Sequence, residues 1–216
     1  MQIILTSCDE ALSKAWARYC GDLEFVKLYD GSILDLNCDA VVSPANSFGF
    51  MDGGIDMLYS RHFGWQVQER LQRVITERHG GELLVGQAEV VETDNPRIPY
   101  LIAAPTMRVP MILGDTINPY LAARAVLRLV LHGMFADGPH AGTPIHPVIE
   151  SIAFPGLGTG VGRARPTLCA RQVRAAIDDV VLGEFEFPES IHNAQSRHVW
   201  LYTDYLRDLG DEYEPE

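Results

Sequence analysis

Short apolar runs alternate along the chain with longer stretches in which apolar residues recur every three or four positions. That alternation predicts strands and helices interleaved around a mostly buried sheet. The runs that read as strands are Gln2–Thr6, Glu24–Leu28, Asp39–Val42, Gln87–Glu92, Tyr100–Ala104, Ser151–Phe154 and His198–Tyr202. Between them "DEALSKAWARYC" reads as a first helix, and "IDMLYSRHFGWQVQERLQRVITERHGG" as a helical region broken near Gly64 and stopped by Gly80 and Gly81. A third helix is expected at "NPY", with Asn118 as its cap, Pro119 in its first turn and Leu121, Ala125 and Leu129 on one face. A fourth runs from Pro166 to about Val181.

The Gly/Pro-rich "ADGPHAGTPIHP", residues 136–147, reads as a surface loop, and "GDEYEPE", residues 210–216, as an acidic tail. No internal repeat or shift of composition divides residues 1–216, so a single domain is expected. Trp16, Trp65 and the aromatics around Phe185 are expected in its core.

Composition narrows the picture. A chain of 216 residues with 47% hydrophobic content can bury a full core. No run approaches the roughly 18 to 20 apolar residues of a membrane-spanning helix, and "MQIILTSCDE" lacks the features of a signal peptide. A soluble cytoplasmic protein is therefore expected, with no membrane partner. Cys8, Cys20, Cys38 and Cys169 form no C-x-x-C pair and are expected to be free, mostly buried thiols. The seven histidines show no metal-ligand spacing, so no metal and no cofactor are predicted. A net charge of −12 repels a phosphate backbone and disfavours a polynucleotide partner. Nothing in the sequence addresses the oligomeric state.

Charge of that sign requires any phosphate ligand to be held locally, and two loops have the composition for it. "SPANSFGFMDGGID", residues 43–56, leaves a predicted strand and feeds a helix near Gly54. Gly53 and Gly54 there let main-chain amides approach an anion at a helix N-terminus. "FPGLGTGVGRARP", residues 154–166, carries Gly156, Gly158, Gly160 and Gly162 after another strand. A loop so bare of side chains can wrap a ligand with N–H groups, although either loop alone reads equally as a tight turn. Neither is a Walker or a G-x-G-x-x-G pattern, which argues against a nucleoside triphosphatase or a dehydrogenase. Arg108, Arg163 and Arg165 are candidates to reach a phosphate, with a solvated loop arginine as the alternative.

The run Gly31 to Asp56, "GSILDLNCDAVVSPANSFGFMDGGID", resembles the first signature of the macrodomain family, the ADP-ribose-binding module, and "SIAFPGLGTGVGRARP", Ser151 to Pro166, resembles its second. The resemblance implies a three-layer α/β/α sandwich around a mixed, largely parallel sheet of about six or seven strands. It further implies that Gly53, Gly54 and Ile55 face the phosphate nearer adenosine, and that Gly158, Thr159, Gly160 and Val161 wrap the phosphate nearer the distal ribose. Asn46 would hydrogen-bond that ribose and Asp56 would activate a water near its anomeric carbon. Tyr202, at the end of the predicted last strand, would stack on adenine.

Departures mark a divergent member. Ser32 stands where the family has an Asp for the adenine amino group, and Ser43 replaces the first Asn of the Asn-Ala-Ala-Asn run, both at ligand-lining positions. Gly162 replaces the aromatic residue that closes over the distal ribose, and Asp52 replaces a glycine beside the diphosphate.

Two functions follow as expectations: hydrolysis of an ADP-ribosyl bond on a protein, nucleic acid or small adduct, or a binding module that senses ADP-ribose or a related nucleotide. A single-stranded polynucleotide binder would need a basic aromatic groove, which the net charge opposes.

Overall fold

The computed structural model describes residues 1–203. Six strands form one sheet in the order β2-β1-β6-β3-β5-β4. They are β1 (Gln2–Ser7), β2 (Val26–Asp30), β3 (Ala40–Ser43), β4 (Glu89–Glu92), β5 (Tyr100–Ala103) and β6 (Ser151–Phe154). Every neighbouring pair is parallel except β4 against β5, so the antiparallel strand caps one edge. The helices are α1 (Glu10–Cys20), α2 (Gly54–Phe63), α3 (Gln66–His79), α4 (Asn118–His132), the single turn α5 (Ile145–Val148), α6 (Pro166–Ile177) and α7 (Ile191–Tyr202). None of these helices is long and apolar enough to cross a membrane.

The period of two along each strand builds the layers, because successive side chains leave opposite faces of the sheet. Ile3 and Leu5, Ala40 and Val42, Ile102, Ile152 and Phe154 join a core with Leu12 and Trp16 of α1, Val126 of α4 and Val173 of α6. Their neighbours Ile4, Val41, Leu101 and Ala153 face the other way, onto Tyr59 and Phe63 of α2 and Val67, Leu71 and Ile75 of α3. Both faces of the sheet are thus covered, giving three layers. The acidic residues 210–216 lie outside the described residues.

Several sequence expectations need correction. His198–Tyr202 is not a strand but the last part of α7, which starts where the Ser190 hydroxyl accepts from the Asn193 amide. Its short apolar run carries no period of its own, and the helix is fixed from outside: the Arg197 guanidinium pairs with buried Asp179, whose other oxygen accepts from the Tyr120 hydroxyl at 2.6 Å. Gln172 adds a bond to the Leu201 carbonyl at 3.0 Å. Asn118 does not cap α4; its side-chain amide donates to the Thr106 carbonyl at 2.8 Å, tying the helix to the end of β5. Trp16 is buried, but Trp65, in the link between α2 and α3, is half-exposed and Phe187 is 86% exposed. Cys20, Cys38 and Cys169 are buried free thiols, whereas Cys8 is exposed.

Candidate functional site

The five parallel strands all point their carboxyl ends at one side of the sheet, and a cavity of about 540 Å³ opens there. Residues just past each strand line it: Cys8 and Asp9 after β1, Gly31 and Ser32 after β2, Ala45 and Asn46 after β3, Thr106 and Met107 after β5, Pro155 and Gly156 after β6. Loops in this position collect ligands in open α/β sheets because no strand continues to fill the space.

The loop after β3 supplies one wall. Asn46 extends the sheet by a parallel bridge to Met107. Gly49 turns the chain back at φ +69°, where an added Cβ would lie 2.9 Å from the Ile75 side chain, so only glycine fits. Met51 is buried, its amide donating to the Gln68 side chain at 2.7 Å and its carbonyl accepting from the Ser60 hydroxyl at 2.9 Å. The chain then enters α2 through Gly53, where no side chain caps the helix. The first N–H groups of a helix have no helical acceptor, and those of this turn gain none from a capping side chain. An added Cβ at Gly53 or Gly54 would meet nothing within 4 Å, so both glycines face open space.

The loop after β6 forms the facing wall, and its glycines divide into two groups. Gly158 and Gly162 are required by packing behind the loop: a Cβ at Gly158 would lie 2.5 Å from Leu113, and one at Gly162 would lie 2.5 Å from the Gly158 carbonyl oxygen and 2.9 Å from Leu113. Leu113 is 1% exposed, and its amide donates to the Gly162 carbonyl at 2.8 Å, strapping the 107–117 segment against the loop. Gly160 is different, since a Cβ there meets nothing. The two glycine loops therefore bound a single cavity whose interior the protein's own side chains leave open.

Asp56 sits in the first turn of α2, 8% exposed and in the cavity lining. The Ser43 hydroxyl donates to its Oδ1 at 2.5 Å, and nothing among the described residues donates to Oδ2. Burial pushes the carboxyl up to about 7, against the Ser43 bond, which favours the charged form. Beneath it the Tyr59 hydroxyl donates to the Val42 carbonyl at 3.0 Å, and burial holds that phenol well above its ordinary range.

Not every expected residue reaches the cavity. Asp56, Asn46, Ser32, Gly53, Gly54, Ile55, Gly158, Thr159, Gly160, Val161 and Gly162 are brought together around it. Ser43 is fully buried and absent from the lining; it stands behind Asp56 and acts on it. Tyr202 also lies away from the lining, edge-on against His198 within α7, because the strand expected to carry it does not exist. Ser32 lines the cavity while its hydroxyl accepts from the Leu34 amide at 3.3 Å and caps a short turn. Arg108 is committed elsewhere, bonded to Glu82 at 2.6 Å and stacked over Phe48. Among the described residues no lysine or arginine lines the cavity, Arg163 and Arg165 included. Sequence reasoning missed the contribution of residues 6–9 and 106–110, which carry no glycine signal. The rule that ligands gather past strand ends would have found them, applied to β1 and β5.

The profile of the macro domain family matches residues 42–173, from β3 through both glycine loops into α6. This chain belongs to the macro domain family. Within that family it is similar to the macro domain-containing protein TTE0995 of Caldanaerobacter subterraneus, at 30% identity over 74% of this chain and 83% of the relative. An uncharacterised protein of Aquifex aeolicus shares 30% identity over 68% of this chain and 76% of its own length. Among solved structures, an Oceanobacillus iheyensis macrodomain mutant with ADPR superposes with a TM-score of 0.57 at 18% identity, covering 83% of this macro domain and 90% of that chain. The macrodomain of Mycobacterium tuberculosis DarG gives 0.54 at 19% identity, covering 69% and 87%. These likenesses support the fold of this macro domain.

Proposed function

We propose that this macro domain binds ADP-ribose in the cavity and hydrolyses an ADP-ribosyl bond, releasing ADP-ribose from a modified target or small adduct. What carries the reading is Asp56, a buried carboxyl bonded through one oxygen to Ser43, in the lining of a cavity walled by two glycine loops. The amides at the start of α2 and around Gly160 would take the diphosphate, so that binding far from the reacting bond aligns the anomeric carbon. The Asp56 Oδ2 takes a proton from water as the water oxygen bonds to that carbon, the bond to the modified group breaks, and the proton passes to the leaving group. A base whose pKa is pushed up to about 7 is matched to this work near neutral pH. A related structure solved with ADPR supports the choice of ligand.

The second reading is a binding module without turnover, and one observation favours it. The Asn46 carboxamide, the expected ribose contact, is engaged within its own loop. Calorimetric titration with ADP-ribose and release of ADP-ribose from a modified protein, compared between the native chain and Asp56→Ala, separate the two. Retained binding with lost turnover in the variant supports the hydrolase, and binding by a native chain that turns over no linkage supports the module. Absence of binding overturns both.

A further inference from the structure

The polar side chains at the end of β3 divide into two kinds. Asn46 is taken up by its own loop: its Oδ1 accepts from the Phe48 and Phe50 amides, and its Nδ2 donates to the Phe50 carbonyl at 2.8 Å. Ser43, the last residue of the strand, is turned onto α2. It shares a sheet face with Val41 by the period of two, and α2 and α3 cover that face.

Two consecutive strand residues hold two residues of one helix face. The Ser43 hydroxyl donates to the Asp56 Oδ1 at 2.5 Å, and the Val42 carbonyl accepts from the Tyr59 hydroxyl at 3.0 Å. Asp56 and Tyr59 stand three apart in α2, the spacing that puts both on the side facing β3. The Ser60 hydroxyl adds a tie to the Met51 carbonyl at 2.9 Å. Ser43, Tyr59 and Ser60 are fully buried, so these bonds are made without competition from water. Asp56 is the only partner of the Ser43 hydroxyl among the described residues, and a turn of the carboxyl away from it would leave a buried donor unmet.

Resting on the reading of Asp56 as the base, we propose that Ser43 is its positioning residue: the hydroxyl fixes Oδ1, leaves Oδ2 as the reacting oxygen, and stabilises the charged carboxylate that has to accept a proton. Among the described residues no other side chain does the last. Burial opposes the charge, and the Ser43 bond is what acts against burial. The remaining titratable groups nearby are Tyr59 on α2 and Cys38 ahead of β3, with Cys8, Asp9 and Asp52 in the cavity lining. All of these ionise to anions, so none favours a charge on Asp56, and no lysine or arginine lines the cavity among the described residues.

The test follows Asp56 itself. Carbon NMR of the full chain with labelled aspartate, using Asp56→Asn to assign the signal, titrates the carboxyl in the native protein, Ser43→Ala, Ser43→Cys and Ser43→Thr, with circular dichroism to confirm each fold. Removing the hydroxyl should raise the midpoint above the native value of about 7 by about one to two pH units, as loss of a hydrogen bond to a charged acceptor does. Ser43→Thr should return it to within about half a pH unit of native. The rising limb of kcat/KM against pH should move up with the carboxyl. A merely structural role would instead lower stability, or turnover at every pH alike.

An unmoved midpoint in Ser43→Ala overturns the assignment, as does a lowered one, which would mean that Ser43 accepts from the protonated carboxyl. A midpoint that stays raised in Ser43→Thr would trace the effect to packing rather than to the hydroxyl and overturn it too. If Ser43→Ala does not fold, Ser43→Cys decides by the same rise, since it nearly keeps the shape and weakens the donor. The titration needs neither ligand nor turnover. A native chain that hydrolyses nothing therefore refutes Asp56 as a base, while the midpoints still decide whether Ser43 holds the carboxyl.

Discussion

Replacing Asp56 with Asn tests the electrostatics of the site through stability alone. In the folded chain burial pushes this carboxyl from 3.8 to about 7, while the unfolded chain titrates near the lower value. Below the lower value the group is protonated in both states and contributes nothing to the balance. Between the two the unfolded state gives up its proton first, so the folded state loses stability as pH rises; above about 7 the penalty is complete. At about 1.4 kcal/mol per pKa unit, a rise of roughly three units amounts to at most about 4 kcal/mol.

Asn keeps the shape and the acceptor for the Ser43 hydroxyl but does not titrate. The measurement is urea unfolding of both proteins from pH 4 to pH 8, reading the difference in unfolding free energy so that other titrating groups cancel. The difference should move in favour of Asp56→Asn by several kcal/mol across that window and level off above pH 7. A difference independent of pH would refute the reasoning. A slope of opposite sign would mean that the helix terminus stabilises the carboxylate more than burial penalises it.

Other expectations follow from the same geometry. Gly160→Ala should leave thermal stability unchanged and weaken ADP-ribose binding in titration, whereas Gly162→Ala should destabilise by about 1 to 3 kcal/mol in urea unfolding, because its Cβ meets the Gly158 carbonyl and Leu113. Asp52→Gly should tighten ADP-ribose roughly threefold to tenfold at low salt, with the gain shrinking as salt is added, since it removes an exposed carboxylate from the lining. Arg197→Met should cost about 3 kcal/mol in urea unfolding by leaving Asp179 buried without its cation. If Asp56 is the base, kcat/KM should rise with pH through about 7, while the calorimetric affinity for ADP-ribose falls over the same range.

The strands that build the core were legible because both faces of the sheet are covered, so β1, β3, β5 and β6 appear as unbroken apolar runs. The break between α2 and α3 at Gly64 was legible for a local reason, since glycine interrupts an otherwise helical pattern. His198–Tyr202 was misread because a short apolar run carries no period of its own. What makes it helical is the attachment of Arg197 and Leu201 to Asp179 and Gln172, partners distant in sequence. At the site, glycines announced the two loops but not their division of labour. Only the positions of Leu113 and the Gly158 carbonyl reveal that Gly162 is a packing glycine while Gly160 faces the cavity. Asn46 was legible as a loop residue and Asp56 as a first-turn acid, but neither the bonds to Phe50 nor the burial of the carboxyl appears in the sequence.

A cavity lined by Asp9, Asp52 and Asp56, with no lysine or arginine among the described lining residues, is a poor electrostatic host for a diphosphate unless two conditions hold. The first is that the positive ends of main-chain dipoles face the ligand at close range, which glycine permits and a helix N-terminus reinforces. The second is that the buried acid in the first turn of α2 is not charged when the ligand arrives. Asp56, with its carboxyl pushed up to about 7, meets it below neutral pH. On the proposed reading, the burial that lets Asp56 stay neutral beside an anion is also the burial that weakens the folded chain above that pH, so ligand binding and stability would draw on one desolvated carboxyl.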